Sequence, residues 1–144
     1  MNDQKAKDSA KLIYVADDEY SIRDALKTFL ESAGYTVKDF ENADLLLEAF
    51  EKKPCDLVVL DVMMPGEFNG FGAVKELRKK STVPVIMVTA RDTDLDYQTG
   101  MDLGSDDFFV KPVSPMSIVM RVKAIFRRIE FERVANENTE SRKS

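Results

Sequence analysis

Hydrophobic and polar positions along this chain switch repeatedly between a continuous run and a helical period. Leu12, Ile13, Tyr14, Val15 and Ala16 form an unbroken apolar run that stops at Asp17, Asp18 and Glu19. Ile22, Leu26, Phe29, Leu30 and Ala33 then recur at helical spacing, which predicts an amphipathic helix closed by Gly34. Ser21, with Asp24 three residues later, resembles a capping box and predicts that helix's start. Residues 35–40 read as a shorter second strand, and Asn42 as the cap of a second helix that carries Leu46, Ala49 and Phe50 and closes at Lys52, Lys53 and Pro54. Leu57, Val58, Val59 and Leu60 predict a third strand ending at Asp61.

The same alternation continues to the end. A loop with Pro65, Gly66 and Gly70 leads to a third helix with Phe71, Val74 and Leu77, and residues 84–88 predict a fourth strand ending at Thr89. The helix expected over residues 94–103 has few apolar positions and contains Gly100, so it should be the least firmly packed. Gly104 ends it; Phe108, Phe109 and Val110 give a fifth strand, stopped by Lys111 and Pro112. Ser114 opens a last helix with Ile118, Val122, Ile125 and Ile129 at helical spacing. Residues 1–10 are expected to be disordered, 11–130 to form one domain, and 131–144 to be a frayed helix end or linker.

Strands one, three, four and five lack period-two alternation, as parallel strands buried on both faces do. Five strand–helix units in this order predict an α/β fold, a doubly wound sandwich around a five-stranded parallel sheet in the order 2-1-3-4-5. Such sheets bind ligands beyond the carboxyl ends of the strands, at the switch point between strands one and three. Functional side chains should therefore stand at those ends.

Composition narrows the chemistry. The 144 residues suit one domain, and the 33% charged and 44% hydrophobic content fits a soluble globular chain. No apolar run approaches the ~20 residues of a membrane span. The polar N-terminus lacks the apolar region of a signal peptide and Cys55 is the lone cysteine, so a cytoplasmic location is expected. There is no histidine, which removes Ser-His-Asp and Cys-His nucleophiles, His-ligated zinc and a self-contained phosphohistidine relay. The net charge of -5 argues against direct binding of DNA. That charge is unevenly spread, with eight basic and four acidic residues from Lys111 onward and an acidic excess before it.

The strand ends meet the expectation. Strand one delivers Asp17 and Asp18, strand three Asp61, strand four Thr89 and strand five Lys111, while edge strand two delivers nothing comparable. With neighbouring strands ~4.8 Å apart, these groups can converge. Three carboxylates together call for a cation, and the oxygen-rich donor set favours a hard ion such as Mg²⁺ over zinc. Phosphoryl transfer fits the charges: an Asp carboxylate is a competent nucleophile, and Thr89 and Lys111 would bond the new phosphoryl oxygens.

The segments Tyr14-Val15-Ala16-Asp17-Asp18-Glu19, Leu60-Asp61-Val62-Met63-Met64-Pro65-Gly66, Val88-Thr89-Ala90-Arg91 and Val110-Lys111-Pro112 resemble, in matching order, a two-component response-regulator receiver domain with the flavodoxin/CheY-like fold. The resemblance implies that Asp61 is the phosphoacceptor and that Asp17, Asp18, Asp61 and the backbone carbonyl of Met63 hold Mg²⁺. It further implies that Thr89 and Phe108 form the switch, that Lys111 pairs with the phosphoryl group, that small Ala90 leaves access to backbone N–H, and that Lys111-Pro112 is often cis. The implied phosphodonor is a sensor histidine kinase; the domain would support its own phosphorylation and slow self-dephosphorylation without being an enzyme in the usual sense.

The last third resembles the class whose receivers dimerise through helix four, strand five and helix five and precede a winged-helix DNA-binding domain; DNA would be reached only through such an output domain. Asp107 and Arg121 remain as a pair on the implied dimer face, whereas Tyr97 and Ser117 replace a basic and an acidic residue. The loop from Asp61 to Gly70 is one residue longer than the family pattern, through Glu67, Phe68 and Asn69. A haloacid-dehalogenase-like phosphatase needs a second carboxylate two residues after the nucleophile, where this chain has Met63. A flavin mononucleotide carrier would find its phosphate repelled by Asp17 and Asp18. The remaining rival is a receiver-like interaction module that works without phosphorylation.

Overall fold

The computed structural model describes residues 10–90 and 94–143. The N-terminal segment expected to be disordered lies, but for its last residue, outside them, as do Arg91 and Asp92. Five strands, β1 (Leu12–Ala16), β2 (Thr36–Phe40), β3 (Leu57–Asp61), β4 (Val85–Thr89) and β5 (Asp107–Val110), alternate with five helices. The helices are α1 (Tyr20–Ser32), α2 (Ala43–Lys52), α3 (Gly70–Arg78), α4 (Asp94–Asp102) and α5 (Pro115–Lys143). The strands pair in parallel in the order β2-β1-β3-β4-β5, the doubly wound sheet that the hydrophobic pattern predicts.

Successive strand residues face opposite sides of the sheet, and each side has its own core. Tyr14, Ala16, Val58, Leu60, Val85 and Met87 pack under α2 and α3. Ile13, Val15, Leu57, Val59, Ile86 and Val88 pack under α1 and α5, against Leu26, Leu30, Ile118 and Val122. All five residues of β3 and of β4 are buried, which explains why those strands show no polar alternation.

Helix starts follow the local chemistry, with one correction. Asn42 caps α2, its side chain accepting from Leu45 N at 2.9 Å, as expected. Asn69 caps α3 in the same way, accepting from Gly72 N at 2.8 Å. The capping box at Ser21 and Asp24 does not form: α1 begins at Tyr20, with Glu19 as N-cap and no side-chain cap bond. The reason lies in Asp17, whose Oδ1 accepts from Glu19 N at 2.9 Å and turns the chain before Ser21 is reached.

Gly70 lets α3 press against the end of β3, since a Cβ there would stand 2.3 Å from the Asp61 carbonyl oxygen. Helix α4 is as thinly apolar as its sequence implies: among its described side chains the buried positions are Asp96 and Gly100. Helix α5 runs to Lys143, through the stretch expected as a frayed helix end or linker. Every described residue from Arg127 onward is nevertheless exposed, so this last stretch is helix without a core.

Candidate functional site

Two strand ends use one device. Asp17 at the end of β1 and Asp61 at the end of β3 each direct Oδ1 to the chain two residues ahead, Asp17 to Glu19 N and Asp61 to Met63 N at 3.2 Å. Each then directs Oδ2 to the same ammonium: Lys111 Nζ lies 2.9 Å from Asp17 and 3.2 Å from Asp61. Lys111 follows directly on β5, the edge strand beside β4, and its N–H donates to the Thr89 carbonyl at 2.6 Å; the Lys111-Pro112 bond is cis. Arg23 on α1 fixes the other flank, with Nη1 on the Asp17 carbonyl and Nε on Asp39, each at 2.8 Å.

The charges do not balance. Asp17 and Asp61 side chains are 3% and 4% exposed and Lys111 11%, so all three are largely removed from water. Burial first, and then the neighbouring Asp17, push the Asp61 carboxyl up to about 6, against the partial relief that Lys111 gives. Burial disfavours the Lys111 ammonium, but the hydrogen bond from it to Asp17 and the charges of Asp61 and Asp17 outweigh that, and its pKa is raised.

The acidic groups extend beyond the buried pair. Carboxylate oxygens of Asp17, Asp18 and Glu19 lie within 4.8 Å of one another at the edge of the buried pair. Asp17, which also shares Lys111 with Asp61, links this cluster to the buried pair, and every side-chain donor named here is a carboxylate oxygen. That donor set fits a hard divalent cation such as Mg²⁺. Glu19 was not among the expected ligands, although it stands directly after the two aspartates; it also lies 3.9 Å from Lys111.

The other expected residues fall as follows. Thr89 is fully buried at the end of β4, opposite Val110 in the sheet register and one position beyond Val88, the partner of Asp61. Ala90 is exposed beside it and, with Lys111 and Glu19, borders a cleft of about 530 Å³ running along α1 past Ile22 and Pro112. Met63 is 51% exposed at the start of the β3–α3 loop.

Phe108 is 8% exposed and points inward. Its ring meets Tyr97 edge-on, with centroids 5.6 Å apart, and lies so close to α4 that a Cβ at Gly100 would stand 2.9 Å from it. The glycine expected to loosen α4 is thus also what admits this ring. Asp107 and Arg121 meet within the chain, Arg121 Nε lying 2.6 Å from Asp107 Oδ2 but off the line of a hydrogen bond. The Arg121 guanidinium also lies over the Phe109 ring, 5.9 Å from its centroid.

A family model for the response regulator receiver domain matches residues 13–123. The chain is 45% identical over 130 residues to a probable transcriptional regulator, ycf27, of Pyropia yezoensis, an alignment that covers 90% of this chain and 51% of the relative. It is 39% identical over 127 residues to the regulatory protein VanR of Enterococcus faecium, covering 88% and 54%. Among solved structures, the receiver domain of the Francisella response regulator 1452 superposes with a TM-score of 0.78 at 31% identity, over 83% of this chain and 98% of that one. The chain spans about half the length of the curated relatives it matches. Among the described residues no helix is long and apolar enough to cross a membrane.

Proposed function

This chain belongs to the response regulator receiver domains, and on that premise we propose that it is a phosphorylation-dependent switch of a two-component system, taking a phosphoryl group from a histidine kinase on Asp61. The observation that carries this reading is the division of work within the two buried carboxylates. One oxygen of each sets the local chain and the other holds Lys111, so Asp61 is fixed in orientation while its charge stays only partly compensated.

In the transfer, an Asp61 carboxylate oxygen bonds to phosphorus as the donor P–N bond breaks, and the electron pair leaves with the kinase imidazole. Catalysis of such a step is mostly positioning and charge neutralisation. Asp17, Asp18, Asp61 and the Met63 carbonyl would hold Mg²⁺, which supplies positive charge against the phosphoryl oxygens. Lys111 moves from carboxylate to phosphoryl oxygen over a short distance. Thr89 turns its buried hydroxyl about χ1 to bond another. The cleft beside Ala90 and Lys111 gives the donor side chain an approach.

The output face is α4, β5 and α5. Movement of Thr89 changes the volume beside Phe108, and the thinly packed α4 is the element free to follow. Asp107 and Arg121 on this face would exchange their intrachain contact for one across a homodimer. The relatives named above as a transcriptional regulator and a regulatory protein support a DNA-binding output carried by a separate domain. Amide NMR spectra recorded before and after addition of acetyl phosphate and Mg²⁺ test the switch. Shifts should extend from residues 61, 89 and 111 to α4, β5 and the start of α5; changes confined to the strand ends would overturn it.

A further inference from the structure

The β3–α3 loop is held at its tip as well as at its ends. At its base Gly70 N donates to the Val62 carbonyl at 3.0 Å, and Met63 N donates to Asp61. Met64 and Phe68 pack into the core under α2 and α3. The tip lies against the first turn of α2, where the Asp44 carboxylate accepts two backbone donors, Glu67 N on Oδ2 and Phe68 N on Oδ1, each at 3.0 Å. Gly66 makes this approach possible: its φ is +117°, and a Cβ there would stand 3.2 Å from both Asp44 oxygens.

We propose that Asp44 is a positioning residue for the phosphorylation site, holding the tip of the β3–α3 loop so that Met63, at the other end of the same loop, keeps its carbonyl toward the cation and its N–H toward Asp61. The inference rests on the reading of Asp61 as phosphoacceptor. Its physical basis is that a carboxylate accepts two diverging N–H donors at once, in charge-assisted bonds. An asparagine has one acceptor oxygen and would turn an NH₂ toward the second donor. Asp44 holds Glu67 and Phe68, midway between Met63 and the α3 cap Asn69. An exposed loop has conformational freedom to lose before it can present a carbonyl in one place. An acid in the first turn of α2 would also favour the helix dipole, but that role affects stability and leaves cation affinity alone.

The test compares wild type with Asp44→Asn and Gly66→Ala, the second of which keeps the charge and disturbs the contact from the loop's side. Mg²⁺ affinity is measured by titration calorimetry, the rate of labelling by acetyl phosphate by intact mass, and loop protection by hydrogen exchange at the Glu67 and Phe68 amides, with urea unfolding as the control for folding. Supporting outer contacts of a metal site are worth ~10–100-fold in affinity or activity. We expect the low end of that range, about tenfold weaker Mg²⁺ binding and a matching loss of labelling rate, in each variant, with the double variant no worse than either. Faster exchange at the two amides with wild-type Mg²⁺ affinity and labelling would overturn the proposal. So would a loss of cation affinity in Asp44→Asn that Gly66→Ala does not share, because that is a charge effect. If wild type itself binds no Mg²⁺ and takes no label, the phosphoacceptor reading has failed and the inference goes with it.

Discussion

At Asp61 the demands of folding and of chemistry diverge. Its carboxyl sits at about 6, against 3.8 for an unhindered aspartate, because burial and Asp17 disfavour its charge. Between those two values the folded state binds more protons than the unfolded one, so stability falls as pH rises from about 4 to 6, and the whole penalty remains above that range. Asp61→Asn removes it. In Mg²⁺-free buffer at pH 7 the variant should be more stable than wild type by about 1–3 kcal/mol, and the advantage should vanish below about pH 4; urea unfolding across this range checks both. Lys111→Gln should act in the opposite direction, costing about 2–4 kcal/mol at pH 7 by leaving two buried carboxylates without their cation, with Mg²⁺ restoring part of the loss in the same unfolding assay. Cys55 has no share in this chemistry: it is buried, and burial pushes its thiol up to about 12.

At the scale of elements, Gly100 sets two effects against each other. Glycine inside a helix costs ~1 kcal/mol relative to alanine, so Gly100→Ala would ordinarily stabilise. Here the added Cβ would meet the Phe108 ring at 2.9 Å, and overpacking of that kind costs ~1–3 kcal/mol. The clash wins: the variant should be less stable in thermal unfolding and should show the Phe108 ring displaced, whereas a net gain in stability would mean that α4 yields freely. Strand identity and order were legible in the sequence because parallel strands buried on both faces leave continuous apolar runs, and the site was legible because its groups stand where those runs stop. The start of α1 was misread, since the pattern at Ser21 and Asp24 is local and the carboxylate that sets the turn belongs to the site. The contacts of Asp44 with the β3–α3 loop were illegible for another reason: a bond between residues more than twenty positions apart leaves no periodic trace. The course of α5 past Glu132 was illegible as well, because a solvated helix and a polar linker share a composition.

Across the whole molecule, the acidic body carries the candidate site and the basic last helix contributes to the proposed output face. The carboxylates gather at one end of the sheet around Lys111, while the exposed end of α5 carries Arg127, Arg128 and Arg133 away from it. The proposed switch would cross this distance through β4 and β5, neighbours in the sheet, and α4. Since the described residues after Arg127 are exposed, removing residues 132–144 should leave the urea midpoint of the domain within about 0.5 kcal/mol of its original stability, while Ile118→Ala, at a fully buried position of the same helix, should cost about 2–5 kcal/mol. The central claim is that Asp61 accepts a phosphoryl group with the help of a divalent cation. Intact-mass spectrometry after incubation with acetyl phosphate, with and without Mg²⁺, on wild type and Asp61→Asn, tests it most directly. The account predicts one phosphoryl adduct that requires Mg²⁺ and is lost in the variant; a folded, Mg²⁺-binding wild type that stays unlabelled, or an adduct that survives in Asp61→Asn, would contradict it.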